Sequence, residues 1–201
     1  MKKNLSYLVI TLCFLSCNGL EETFEQQPKS FELAEIRWKR VENDNSELVQ
    51  ITLPEKTYSN HSNTLMEVEI DPLSETRGSS TFNFVDSIGF HKLNLEPTHI
   101  TPPTNPDLLS ESYSYISGGK EVLLATEPQE LPFSIHFSDS YTVPAHAELI
   151  YTATLYLREV KSGFSTKFKE KESGVFLELE GLWQGTVYER LETSIIVNNL
   201  E

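Results

Sequence analysis

The sequence predicts a mostly β protein, an elongated antiparallel sheet or sandwich. Three observations carry that prediction. Apolar residues recur at every second position over most of the chain, the pattern of a strand whose successive side chains point to opposite faces. Turn signals break these runs at Ser162-Gly163, Glu172-Ser173-Gly174 and Gly118-Gly119. A helical reading competes only at Phe31 to Val41, where Leu33, Ile36, Arg37 and Arg40 fit a helix while Ile36, Trp38 and Arg40 fit a strand.

The chain opens with Lys2 and Lys3, followed by an apolar run from Leu5 to Leu15 that closes on Leu15-Ser16-Cys17. A positive start and a short apolar core make a secretory signal. The run falls short of the roughly 20 apolar residues that a membrane-spanning helix needs. Its ending resembles a bacterial lipobox, the site where a signal peptidase cuts before a lipid-modified cysteine. That resemblance implies a signal peptide over 1–16 and palmitate-type acylation of Cys17. It also implies a lipoprotein of the bacterial cell envelope, anchored at the outer membrane or cell surface. Each buried methylene contributes about 0.8 kcal/mol, so several acyl chains hold a protein firmly.

Residues 17–30 are polar and acidic, with Gln26-Gln27-Pro28, and read as a flexible tether. Residues 31–201 then form a single elongated β domain. Of the two cysteines, Cys13 leaves with the signal and Cys17 takes the lipid, so no disulfide framework remains. Stability must come from an apolar core. Loss of Lys2 and Lys3 takes the formal charge from -14 to -16. Such a surface repels nucleic acid and anionic headgroups, so no nucleic-acid partner is expected.

Within the domain, the alternation runs as follows. Met66, Val68 and Ile70 alternate with Glu67, Glu69 and Asp71. Phe133, Ile135 and Phe137 alternate with Ser134, His136 and Ser138. In the clearest run, Ala147, Leu149, Tyr151, Ala153, Leu155 and Leu157 share one face. Phe164, Thr166 and Phe168 follow, then Val175, Leu177 and Leu179. Four prolines between Glu96 and Pro106 keep that stretch out of a sheet.

Catalytic motifs are missing. There is no His-Glu-x-x-His and no Gly-x-Ser-x-Gly, and Gly118-Gly119-Lys120 lacks the remaining glycine of a phosphate loop. The five histidines, at 61, 91, 99, 136 and 146, are scattered and read as surface or turn residues. Glu67, Glu69 and Asp71 could offer oxygen ligands to Ca²⁺, but a solvated strand face explains them as well. No catalytic residue, no metal site, no cofactor and no enzyme activity are therefore expected.

An ordered set of short motifs carries a resemblance. Ser59-Asn60-His61-Ser62-Asn63 precedes the strand from Met66. Tyr141-Thr142-Val143-Pro144-Ala145-His146 precedes the long alternating strand. Gly163-Phe164-Ser165-Thr166 and Gly181-Leu182-Trp183-Gln184-Gly185 follow. This order resembles the aerolysin-like β-pore-forming proteins, in particular the epsilon-toxin/mosquitocidal-toxin family, over roughly residues 55 to 195. Ala145 and Gly163 stand where that family shows proline. The resemblance implies an amphipathic hairpin that leaves the sheet and enters a bilayer, with assembly of several copies into a ring. In the family order the hairpin falls at 78–119. Phe82, Phe84, Ile88 and Phe90 would line the lipid side of one arm, and Tyr113 and Tyr115 that of the other. Asp86 and Glu111 interrupt the two arms. The alternative is a surface binding or adhesion module on a β-sandwich that never inserts, with an unknown receptor or ligand.

Overall fold

A computed structural model describes residues 29–42, 47–116, 118–133, 135 and 137–200. The signal segment 1–16, Cys17, nearly all of the tether, and His136 lie outside the described residues. In chain order the strands are β1 (Phe31–Arg40), β2 (Leu48–Thr52), β3 (Lys56–Asn60), β4 (Met66–Ile70) and β5 (Arg77–Phe84). Then come β6 (His99–Ile100), β7 (Val122–Leu123), β8 (Gln129–Pro132), β9 (Asp139–Val143), β10 (Ala147–Glu170) and β11 (Phe176–Asn199). A short helix α1 (Ser87–His91) and a 3₁₀ turn (Pro106–Leu108) interrupt them.

The spine is the hairpin of β10 and β11, each 24 residues long. At about 3.3 Å per residue it extends roughly 80 Å. Gly174 closes it with φ +71, a conformation that side chains resist. Its N–H donates to the Glu170 carbonyl at 2.9 Å, while the Glu170 N–H donates to the Val175 carbonyl at 2.8 Å. Three strands lie end to end along the free edge of β10: β3 against 147–151, β2 against 154–158 and β1 against 162–170. On the other side, β11 pairs with β5 over Gly181–Gly185, and β5 with β8. β4–β9 and β6–β7 form two small antiparallel sheets of their own.

The core changes sides along this spine. From Ala147 to Leu157 the odd-numbered side chains of β10 are buried, packed with Ile70 and Val143 of the β4–β9 sheet and with Leu73. From Val160 onward the even-numbered side chains are buried too, on the opposite face. There Val160, Phe164 and Phe168 meet Trp38, Phe82, Phe84 and Trp183. Phe164 holds this second core together, edge-on to Trp38, Phe82 and Phe84 with ring centroids at 6.0, 5.6 and 5.0 Å. Near the switch, Tyr156 pairs with Arg190 but Leu157 with Tyr188, which leaves Glu189 as an extra residue in β11 and bends the ribbon.

Of the two readings of Phe31–Val41, the strand is the one observed over Phe31–Arg40, and its register with β10 places Trp38 opposite Phe164 in the core. Several other sequence expectations need correction. Ser162-Gly163 is not a turn but the middle of β10, where Gly163 makes room for Lys39: a Cβ there would lie 2.9 Å from the Lys39 Cγ. Residues 133, 135, 137 and 138 form no strand, because the chain crosses there from β8 to β9 in a different sheet. Val175 and Leu177 are exposed, since no described residue covers the last turn of the hairpin. Inside the proline-rich stretch, His99 and Ile100 do pair with β7, using the proline-free positions.

Candidate functional site

Between Val85 and Glu121 the regular elements among the described residues are α1, β6 and the 3₁₀ turn. This segment lies as a strap across the aromatic half of the sheet. It buries Leu93, Ile100 and Leu109 in the second core, with Phe90 packed beside them. Besides the β6–β7 pairing, backbone bonds among the described residues tie it down. Trp38 and Ser114 exchange two at 2.7 Å, Arg40 N–H donates to the Ser110 carbonyl at 2.7 Å, and Leu124 N–H to the Thr98 carbonyl at 2.8 Å. Lys171 reaches Glu96 at 2.8 Å, and this contact lifts the Lys171 pKa above its ordinary value.

The six residues read as a membrane hairpin sit in different surroundings. Phe82 is fully buried and Phe84 nearly so, both on β5 beside β11. Phe90 stacks on Phe84 with centroids 4.0 Å apart. Ile88 is 67% exposed, because the chain has left the strand for α1, which Asp86 caps by accepting the Gly89 N–H at 2.7 Å. Tyr113 lies under the Lys39 ammonium, 4.7 Å from its ring centroid, and Tyr115 is 71% exposed. In this conformation residues 78–119 are therefore not a two-stranded hairpin. β5 pairs with β11 and β8, and the described part of the return arm forms only an isolated bridge to β1.

The two turns singled out by the resemblance do meet. Buried Asn60 places its side-chain amide 3.0 Å from the Val143 carbonyl and 2.9 Å from that of Pro144. His146, at φ 52, sets Nε2 2.6 Å from the Asn63 Oδ1. Together they fix the start of β10. Glu67 and Glu69 do not converge on a common point: they accept hydroxyl protons from Thr142 and Ser138 across the strand pair, and Asp71 accepts the Leu73 N–H.

A cleft of about 680 Å³ opens beside β2, with Ile51, Leu53, Pro72, Arg77, Glu130 and Tyr151 on its walls. The Tyr151 hydroxyl is buried without a hydrogen-bond partner. Burial, first of all, pushes its pKa up to about 12, and the nearby Tyr141 and Asp139 add to the shift. Sequence patterning assigns Tyr151 to the apolar face of β10 but gives no sign that its hydroxyl is stranded. The unusual exposure of Val175, Phe176 and Leu177 was also missed; their position beside the turn at Gly174 was the available signal.

No protein-family model matches the chain, and no curated protein matches it in sequence. Several solved structures do resemble it. The lamprey immune protein is 15% identical with a TM-score of 0.49, over 85% of this chain and 54% of that one. The parasporin-2 toxin of Bacillus thuringiensis, described as recognising cancer cells, is 14% identical with a TM-score of 0.38, over 85% and 75%. An aerolysin-like protein of Bombina maxima is 10% identical with a TM-score of 0.33, over 84% and 97%. The chain thus spans about half the length of the lamprey protein.

Proposed function

We infer that this chain is a lipid-anchored envelope protein of the aerolysin-like, toxin type. In its soluble form the candidate hairpin at 78–119 is folded down on the sheet. On a membrane that segment leaves the sheet and several copies close a barrel, since lipid cannot satisfy an open strand edge. The observation that supports this reading is the strap: a long, mostly irregular segment that covers a core yet, among the described residues, meets β1 through an isolated bridge at Trp38–Ser114 rather than a continuous ladder. Detachment would also pull Phe82 and Phe84 from the aromatic core, an exposure that only an apolar phase can offset.

A disulfide tests it. Trp38 and Ser114 are paired antiparallel, so Arg37 and Tyr115 are placed as the neighbouring cross-strand pair, where Cα atoms lie about 4.5 Å apart. Arg37→Cys with Tyr115→Cys should form a bridge that locks the strap down. The oxidised protein should release no dye from liposomes and form no rings, and reduction should restore both. Release that continues with the bridge demonstrably closed would refute the mechanism. A second reading, a binding module that never inserts, is favoured by the deep burial of Phe82 and by the cleft at Tyr151. It takes over if the unlocked protein is membrane-bound yet releases nothing.

A further inference from the structure

The turn of the β10–β11 hairpin carries a surface that neither the strap nor the cleft explains. Val175 is 60% exposed, Phe176 51% and Leu177 37%. They project on both faces of the ribbon, for Phe176 pairs with Lys169 on one side while Leu177 pairs with buried Phe168 on the other. The turn that presents them is firmly built. Glu170 is buried, accepts a hydrogen bond from the Ser173 hydroxyl and faces the Lys29 ammonium at 3.5 Å. The backbone on both sides of Gly174 is bonded back to Glu170.

Charge separates this end from the rest of the molecule. The whole chain carries -14, but within residues 29–32 and 167–178 four lysines balance four glutamates, and Glu96, paired with Lys171, takes this end only to -1. Lys167 sets its ammonium 4.9 Å from the Phe176 ring centroid, leaving the aromatic face and a cation side by side. Aromatic and aliphatic side chains flanked by lysine stems suit the boundary between headgroups and acyl chains, where the stem lies in the apolar layer and the ammonium stays wet. A second exposed apolar set, Ile195, Ile196 and Val197, lies at the opposite end of β11, but residues 186–201 contain no lysine.

The N-terminus decides between the two ends. The Lys171 N–H donates to the Ser30 carbonyl at 3.0 Å, and Phe31 pairs with Glu170. The chain toward Cys17 therefore departs from the hairpin turn itself. Eleven residues lie between Cys17 and Lys29, so twelve Cα–Cα steps join them. Even fully extended they cover only about 40 Å, half the length of the spine. A lipid on Cys17 would keep the turn near the bilayer and leave the other end free to point away.

We propose that the hairpin turn, with Val175, Phe176 and Leu177 flanked by Lys167, Lys169 and Lys171, is a lipid-docking surface that seats the domain upright on the membrane holding its anchor. The proposal rests on the acylation of Cys17. Docking through the turn would fix the height of the strap above the bilayer before any insertion.

The test uses the full-length protein, recovered from its producing membranes in detergent and returned to vesicles of phosphatidylethanolamine and phosphatidylglycerol. With Cys13 removed and Cys17 acylated, Val175→Cys and, separately, Ile196→Cys each supply one reactive thiol for a polarity-sensitive dye. Both sites are exposed, so neither label disturbs the core. Mass spectrometry of the N-terminal peptide reports the acyl group independently. The expected result is a blue-shifted emission at 175 and a water-like one at 196, with the shift at 175 lost when Phe176→Asp is added. Equal spectra at both sites, or a shift confined to 196, with the acyl group present overturns the docking surface and leaves the anchor standing. Absence of the acyl mass overturns the anchor, and the docking proposal with it.

Discussion

Tyr151 is 1% exposed and its hydroxyl has no partner, an arrangement that an apolar replacement tolerates well. Tyr151→Phe should therefore leave stability at pH 7 within about 1 kcal/mol of the parent or raise it, as read by urea denaturation. The alkaline limb should respond differently. The folded pKa is about 12 against an ordinary value of 10.0, so the neutral phenol is favoured in the folded state. Its contribution is complete below pH 10 and is lost as pH rises from there towards 12, when the unfolded chain ionises first. The variant should lack that loss, and an alkaline limb identical in both proteins would show that Tyr151 is not its source. Gly181 and Gly185 show a different constraint. A Cβ on Gly181 would stand 2.4 Å from both the Asn83 carbonyl oxygen and the Phe164 ring, and one on Gly185 2.3 Å from the Trp183 ring. Trp183 fills the space so provided, and its indole N–H donates to the Ser80 hydroxyl at 3.0 Å.

At the scale of the element, the first half of β10 is the clearest case of pattern becoming structure. Leu155 is fully buried on the alternating face, so Leu155→Ala should destabilise by about 2–5 kcal/mol in equilibrium unfolding. A change within about 0.5 kcal/mol would mean that the site behaves as surface. This half was legible because only one of its faces is covered. Beyond Val160 the buried face passes to the even-numbered residues, and Ser162, Ser165 and Thr166 are buried beside Phe164, so polar and apolar positions no longer report inside and outside. That is how a mid-strand Ser-Gly pair passes for a turn. The segment 78–119 was legible only in its first arm. Phe82 and Phe84 alternate because they are on β5, whereas the run toward Ile88 ends at Asp86, a helix cap written in the sequence as Asp-Ser-Ile-Gly. The strap beyond it follows no period, since it is shaped by the sheet it covers.

For the whole molecule, Cys17→Ala should abolish palmitate labelling and release the protein from membranes in a flotation assay; labelling that persists would remove the anchor. The secretory reading gives another consequence to the long terminal hairpin. β1, β2, β3 and β5 find their hydrogen-bonded partners on β10 or β11, and β8 on β5. During synthesis the template on which β1, β2, β3 and β5 settle is therefore made last. Until it emerges, β1, β2 and β3 lack the strand they pair with, and short isolated strands are unstable in water. A chain ending at residue 146 keeps the partners of β4–β9, β5–β8 and β6–β7 but not those of β1, β2 and β3, so its circular dichroism should show less strand than residues 29–146 adopt in the whole protein; strand content equal to that share would contradict this order. A sequence arranged this way completes its main sheet only after its final strands are made, and on the secretory reading that late completion would leave the chain slack for threading through a translocon before those strands turn back on each other.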